Sequence, residues 1–303
     1  MQVWSEDAVV SQKASEMDLT LGPVSLVVRD LEPMTNFYVK DAGLRMKRID
    51  DHYVELHPSE ESSEPLLILK HDPRAEKTPT DAAGLYHYAI LLPSRKSLAA
   101  AYLSLGNAGV VFDGYADHLV SEALYLTDPE GNGIEIYADR PRSEWQFDED
   151  RKVQMATQPL DIDSLLAEVS GIPKNGLNTF EDGAKVGHVH LKVTDITRSV
   201  TFYQQLLGMD VMSYWGSAAF LSVRGYHHHI GMNTWESLGG RSVKRGWAGL
   251  EYFTVNVTRE DFNNLLAKLS NSSIPYSQDP ERLFVADPDG IDLLIKPSSQ
   301  STT

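Results

Sequence analysis

The sequence contains no cysteine among its 303 residues and is poor in basic side chains. The lack of cysteine excludes disulfide bonds and thiolate metal sites, so any metal must be held by His, Asp, Glu or water. Lysine and arginine number 27 against 43 acidic residues, a net charge of −16, which opposes binding to a phosphate backbone. We therefore expect no nucleic-acid partner.

Long hydrophobic runs are also missing. No apolar stretch approaches the length of a membrane span, and the first twenty residues carry acids rather than a basic start followed by an apolar segment. These features predict a cytoplasmic protein with no membrane partner. With 42% hydrophobic residues, a chain of this length can bury a substantial core, and its length favours two domains over one.

One pattern occurs four times along the chain. A strand-like run from Val24 to Arg29 leads into a helical pattern from Leu31 to Leu44. Val189–Val193 repeats that run, and two further copies open at Tyr88–Leu92 and Phe253–Val257. Short β-branched or aromatic runs, separated by turn residues, follow each helical pattern. The repeated unit is therefore one strand, one helix and three strands.

The copies group into two pairs. Copies two and four share an Asp-Pro-acid-Gly turn, at 128–131 and at 287–290, which supports their common descent. The segment between the pairs is polar and rich in proline, glycine and acidic residues, which is typical of a linker. We predict a first domain, modules one and two, at 20–140, a linker at 141–182, and a second domain, modules three and four, at 183–298.

Four such units resemble the vicinal oxygen chelate superfamily, which includes glyoxalase I, bleomycin-resistance proteins and type I extradiol dioxygenases. The resemblance covers residues 20–297, nearly the whole chain. It implies an α+β fold of four βαβββ modules in two domains, with curved mixed sheets that form open barrels. In that family, two units enclose a metal whose ligands come from the start of the first strand and the middle of the fourth.

The ligand positions implied by this resemblance are filled only in copies two and three. They hold His87 and His188 on first strands and Glu135 on a fourth strand. Two histidines and one carboxylate bind Fe(II) on one face and leave positions open for substrate and O₂. We predict that copies two and three form a concave metal site, or cup, that binds Fe²⁺, with Mn²⁺ as the alternative. Copies one and four are predicted to form a second cup with only a structural role. The matching positions in those two copies hold Pro23, Tyr252 and Leu294.

Three more residues resemble those of extradiol dioxygenases. Where glyoxalase I has a second glutamate, the strand here reads Tyr-His-His-His-Ile-Gly from 226 to 231, and His229 matches the acid–base histidine of extradiol enzymes. His118 and Tyr125 match two residues that contact the substrate oxygens. Tyr125 keeps the family's spacing to Glu135, whereas the interval from His118 to Tyr125 is shorter than in the family.

The resemblance implies iron(II)-dependent extradiol cleavage of catechol or a substituted catechol, of the catechol 2,3-dioxygenase type used in aromatic hydrocarbon catabolism. The implied partners are a small aromatic diol and O₂, and the oligomeric state stays open between monomer and homo-oligomer. Two alternatives remain. One is a glyoxalase-like isomerase or lyase that uses a divalent metal to stabilise an enediolate. The other is a ligand-binding protein of the bleomycin-resistance kind, in which no chemistry follows binding.

Overall fold

The first half of the chain folds into two βαβββ modules. The computed structural model describes residues 17–149, 152–173 and 177–298. Module one contains helix α1 (Leu31–Thr35), a π-helical segment (Asn36–Asp41), and strands β1 (Leu19–Val28), β2 (Arg45–Arg48), β3 (Tyr53–His57) and β4 (Leu67–His71). Module two contains helix α2 (Arg95–Asn107) and strands β5 (Gly84–Leu92), β6 (Gly114–Asp117), β7 (Ser121–Thr127) and β8 (Gly133–Asp139).

The second half repeats this order. Module three contains helix α4 (Ile196–Leu207) and strands β9 (Lys185–Lys192), β10 (Asp210–Trp215), β11 (Ala218–Ser222) and β12 (Ile230–Asn233). Module four contains helix α5 (Arg259–Ser270) and strands β13 (Gly249–Val257), β14 (Tyr276–Asp279), β15 (Arg282–Ala286) and β16 (Asp292–Pro297). Between the halves lie a 3₁₀ turn (Arg142–Glu144) and helix α3 (Ile162–Ala167).

Each module's helix begins at a capping residue directly after the first strand. Asp30, Ser94, Asp195 and Thr258 accept a hydrogen bond from a backbone N–H of the first helical turn. Helix α4 ends at Gly208, whose φ of 65° is left-handed and therefore favours glycine. Local sequence thus determines where the chain turns from strand to helix in every module.

The strands form two mixed sheets of eight strands each. One has the order β14-β15-β16-β13-β1-β4-β3-β2 and joins modules four and one. The other has the order β10-β11-β12-β9-β5-β8-β7-β6 and joins modules three and two. The antiparallel pairs β1/β13 and β5/β9 connect the modules at the centre of each sheet. The α+β fold of four βαβββ modules is therefore confirmed, and so is the pairing of copies two with three and one with four.

Alternation along the first strands separates the core from the concave faces. On β5, Tyr88, Ile90 and Leu92 are buried in the main hydrophobic core, whereas Ala89 belongs to a small separate cluster with Tyr137. The residues between the core positions are therefore available to line a cup. That division sets which positions of each module can carry chemistry.

Buried tyrosines connect consecutive modules. The Tyr38 hydroxyl donates to Asp128 (2.8 Å) and accepts from the Tyr88 hydroxyl (2.9 Å), which links the helical segment of module one to the Asp-Pro-Glu-Gly turn of module two. Tyr203 makes the equivalent bond to Asp287 (3.1 Å) between modules three and four. Burial raises the pKa of Tyr38 well above its ordinary value, so this hydroxyl stays a donor.

The helix predicted from Leu31 to Leu44 is shorter and less regular than expected. It is α-helical only over Leu31–Thr35 and continues as a π-helix over Asn36–Asp41, where the Ala42 N–H bonds to the Phe37 carbonyl five residues back. The Thr35 hydroxyl also bonds to the Leu31 carbonyl (2.8 Å), a contact that competes with regular helical geometry. Hydrophobic periodicity alone does not reveal such a change of pitch.

The domain boundaries stay a prediction, because the sheets combine modules from both proposed domains. Part of the proposed linker at 141–182 lies outside the described residues. None of the helices within the described ranges combines the length and the apolar character needed to cross a bilayer.

Candidate metal centre

Three potential metal ligands come together on the concave face of the sheet that joins modules two and three. His87 lies on β5, His188 on β9 and Glu135 on β8. Ala89 of β5 is opposite both His188 and Glu135, which lie on the two strands flanking β5. Directly paired residues point to the same face, and so do residues two apart on one strand. The register therefore brings all three side chains to one face.

The distances between the three side chains match those expected of neighbouring ligands on one ion. Glu135 Oε2 lies 3.0 Å from His87 Nε2 and 3.1 Å from His188 Nε2. Ligand atoms about 2.1 Å from a metal and at right angles to each other are about 3.0 Å apart. The three residues are 8%, 1% and 3% exposed for His87, His188 and Glu135, so the group lies in a dry environment.

An unsatisfied nitrogen of His87 further supports a metal at this position. Within the described residues, buried His87 Nε2 and His188 Nδ1 have no hydrogen-bond partner. His87 Nε2 is close to Glu135 Oε2, but the geometry of this contact is not that of a hydrogen bond. A buried ring nitrogen without a donor or acceptor is costly, and metal coordination would relieve that cost for His87 Nε2, whereas His188 faces Glu135 with its Nε2. The donor set therefore fits a divalent metal.

The protonation states of Glu135 and His188 also favour coordination. Burial by itself would raise the pKa of Glu135, but the nearby nitrogens of His188 and His87 hold it well below its ordinary value. Burial lowers the pKa of His188 to about 4, against the opposing effect of the Glu135 carboxylate. At neutral pH the site thus offers an ionised carboxylate and a neutral imidazole, the forms that bind metals.

Tyr125 and His118 lie beside this group and contact each other. Tyr125 of β7 pairs with Glu135 of β8 in the sheet register, and its ring centroid is 5.8 Å from that of His87. His118 Nδ1 donates to the Ala156 carbonyl (2.8 Å), and His118 Nε2 lies 2.7 Å from the Tyr125 hydroxyl. Because Nδ1 is the donor to Ala156, Nε2 of His118 accepts a hydrogen bond from the Tyr125 hydroxyl. Burial raises the pKa of Tyr125 well above its ordinary value, so Tyr125 remains a donor.

The histidine run at 227–229 does not follow simple strand alternation, because β12 begins only at Ile230. The ring of His228, not that of His229, lies against His188, with centroids 4.1 Å apart. His229 Nδ1 is 2.8 Å from the Ser222 hydroxyl. His228 lines the cavity over the site, and His229 is not among the described residues that line it.

A chain of hydrogen bonds determines the tautomer of His228. The Asp139 carboxylate can only accept, so His227 Nε2, 2.9 Å away, donates to it. His227 Nδ1 then accepts from His228 Nδ1, which is 2.8 Å away. Burial lowers the pKa of His228 well below its ordinary value, so the ring is neutral and its Nε2 carries no proton. Nε2 of His228 is thus free to accept a hydrogen bond or a proton at the end of this series of hydrogen bonds.

A cavity of about 540 Å³ adjoins His87, Glu135, His118 and Tyr125, a size typical of sites for small organic molecules. His190 also lines it; its Nε2 accepts from the Asn233 amide (3.0 Å). Neither His190 nor His228 is singled out by the fourfold repeat or by the family resemblance. Alternation from His188 could have identified His190, whereas no sequence signal identifies His228. The remaining ring-bearing wall residues are Tyr86, Trp215, Phe220 and Trp235.

Comparison with known proteins agrees with this architecture. The family model described as "Glyoxalase/Bleomycin resistance protein/Dioxygenase superfamily" matches residues 20–136 and 185–295. The chain is 41% identical over 253 residues to the catechol-2,3-dioxygenase of Bacillus subtilis (strain 168), an alignment that covers 82% of this chain and 87% of the relative.

Solved structures share the fold at low sequence identity. A putative dioxygenase from Bacillus subtilis subsp. subtilis str. 168 superposes with a TM-score of 0.61 at 12% identity, covering 93% of this chain and 86% of that one. The cppA protein of Streptococcus pneumoniae TIGR4 gives a TM-score of 0.60 at 11% identity, covering 93% of this chain and all of that one (100%).

Proposed function

Because the chain belongs to the glyoxalase, bleomycin-resistance protein and dioxygenase superfamily, we propose that it is an iron(II)-dependent extradiol dioxygenase that cleaves catechol or a substituted catechol. The observation that carries this proposal is the convergence of His87, His188 and Glu135 beside a cavity of substrate size. The catechol-2,3-dioxygenase relative, at 41% identity, supports the same reaction.

His87, His188 and Glu135 would hold the metal. Bound Fe(II) would supply a shared binding point for both substrate oxygens and O₂, and a positive charge that makes the bound hydroxyls more acidic. The protein's part is to keep three ligands on one side. Gly231 of β12 is paired with His190 of β9, and Glu135 of β8 is paired with Ala89 of β5, so Gly231 holds the position in module three that Glu135 holds in module two. Because Gly231 has no side chain, module three provides no fourth ligand at that position.

Tyr125 and His118 would orient the substrate oxygens. Tyr125 remains protonated in its buried position next to Glu135 and donates its one proton to His118, so its oxygen can accept a hydrogen bond from a diol hydroxyl. His118 is fixed by the Ala156 carbonyl and holds the Tyr125 hydroxyl in place. Both side chains line the cavity, so a bound diol can reach either of them.

The acid–base group would come from the histidine run. The sequence resemblance favours His229, whereas the geometry favours His228, which lines the cavity and has an unprotonated Nε2. A neutral imidazole in that place can accept a hydroxyl proton from the diol and later return it. Tyr86, Phe220 and Trp235 would pack against the aromatic ring.

The direct test begins with anaerobic purification and determination of the metal. Addition of catechol and O₂ should then give the yellow ring-cleavage product with one O₂ consumed per catechol. A glyoxalase-like isomerase would instead act without oxygen, and a ligand-binding protein would bind catechol without consuming it. Either of these results, with stoichiometric iron present, would contradict the proposal.

The ligand assignment has a matched control. His87→Ala and His188→Ala should each lose the metal and the ring-cleavage activity, because two remaining ligands hold the ion far more weakly. His57 is buried to the same extent as His87, at 8% exposure, but lies on the other sheet, so His57→Ala should keep both properties. Stoichiometric metal in either ligand variant would count against this assignment.

A further inference from the structure

A second cavity, of about 1290 Å³, lies on the concave side of the sheet formed by modules one and four. It extends to the loops that connect modules one to two and three to four, at 77–83 and 243–248. It adjoins the first cavity, since four residues line both, Lys192 and Glu236 among them. The residues at the ligand positions of modules one and four predict only a structural role for this cup.

The charge of this cavity is opposite to that of the whole protein. Seven lysine and arginine residues line it against four acidic ones, although the chain as a whole carries a net charge of −16. A concave region of one sign concentrates the field and attracts ligands of the other sign. The seven basic residues are Arg29, Lys70, Lys77, Lys192, Lys244, Arg245 and Arg282.

Most of the acidic groups in the lining already have partners. Glu251 pairs with Lys70 and accepts from the Ser25 hydroxyl (2.8 Å). Glu236 pairs with Lys192 at 3.5 Å. The Glu130 carboxylate accepts from the backbone N–H groups of Arg29 and Asp30, both at 2.8 Å. These carboxylates therefore have little capacity to neutralise the remaining cations.

Three cations of the lining have no ion-pair partner among the residues that the structure describes. Arg29, Lys77 and Arg245 are solvent-exposed and form no salt bridge with any residue that the structure describes. Arg245 acts on Asp292 only at longer range, where burial raises the pKa of this carboxyl and Arg245 opposes the rise. An anion in the cavity would be the first close counter-ion of these side chains.

The floor of the cavity is aromatic. The rings of Tyr252 and Phe284 meet edge to face, with centroids 6.0 Å apart, and the Lys70 ammonium lies 5.9 Å from the Tyr53 ring centroid. Tyr252 occupies the position at which copies two and three have a ligand histidine, so this cup presents an aromatic ring where the other cup presents a metal ligand. We propose that this cavity binds a small aromatic carboxylate, with its ring on the tyrosine and phenylalanine side chains and its charge toward Arg245 and Lys77.

Benzoate is a suitable probe, and benzamide is its neutral analogue. Isothermal titration calorimetry on the full-length, metal-loaded protein should show benzoate binding that weakens as the salt concentration rises. Benzamide should bind much more weakly. Arg245→Gln and Lys77→Gln should each weaken benzoate binding about fivefold, the usual effect of one partly exposed charge. Lys47, exposed on β2 and outside the cavity, provides the control, and Lys47→Gln should leave the affinity unchanged.

Each other outcome overturns the proposal. Equal binding of benzamide would show that the cations have no role, and equal binding of inorganic phosphate would show that the aromatic floor has none. Benzoate binding that is insensitive to Arg245→Gln and Lys77→Gln would place the probe elsewhere, the metal centre included. An absence of benzoate binding overturns it directly. These results do not depend on ring cleavage, so the dioxygenase proposal can fail without affecting them.

Discussion

The histidine run offers the sharpest prediction, because sequence and structure favour different members of it. We expect His228→Gln to retain the metal and lose turnover, whereas His229→Gln should retain both. In His228→Gln the amide can still donate to His227, as Nδ1 of His228 does across 2.8 Å. It cannot accept a proton as the free Nε2 would, so only the proton transfer is removed.

The magnitude follows from the role. A positioned acid–base group contributes about 10² to 10⁴ in rate, which corresponds to about 3 to 5 kcal/mol of activation free energy. His229 bonds through Nδ1 to the Ser222 hydroxyl at 2.8 Å and does not line the cavity, and glutamine can keep such a bond. Its replacement should therefore change turnover by less than about threefold, within the ordinary effect of a substitution remote from the reacting atoms.

The assay measures three quantities on both variants: iron per chain, O₂ consumption with catechol, and formation of the yellow product. Loss of turnover in His229→Gln but not in His228→Gln would refute the geometric reasoning and restore the sequence-based assignment. Loss of iron from His228→Gln would show that this residue is a ligand, as expected of a glyoxalase-like site. Unchanged turnover in both variants would remove the acid–base role from the run altogether.

Two further predictions concern stability. Tyr38→Phe deletes the buried hydrogen bond to Asp128 and should lower the free energy of unfolding, measured in urea, by about 1 to 3 kcal/mol. The control is Tyr115→Phe, at a side chain that is 40% exposed, which should have little effect. Similar losses in both variants would contradict the proposed link between modules. Burial lowers the pKa of His229 to about 3, so below the unfolded value of about 6.5 only the unfolded chain binds this proton, and acidification should destabilise the fold. Urea titrations between pH 6.5 and 5 should show that His229→Gln loses stability less steeply than the parent, by about 1 kcal/mol per pH unit on average, and parallel slopes would disprove this.

The sequence by itself determined the modules and the candidate ligands. Strand and helix patterns repeat locally, and each helix begins at a capping residue that the sequence supplies, such as Asp30 or Asp195. His87, His188 and Glu135 could be named because the resemblance to the family gives the ligand positions within each copy, and the repeat shows which residues occupy them. The resemblance also gave Tyr125 by its spacing to Glu135, and the two residues are paired in the β7/β8 register.

Tertiary structure alone decided the features that depend on irregular backbone or on distant segments. His228 faces the cavity because residues 226–229 precede β12 and do not alternate as a strand would. The cations around the second cavity come from separate strands and loops, including Lys77 and Arg245, which no local pattern relates to each other. Their proximity follows from the pairing of β1 with β13, which brings module four against module one across most of the chain's length.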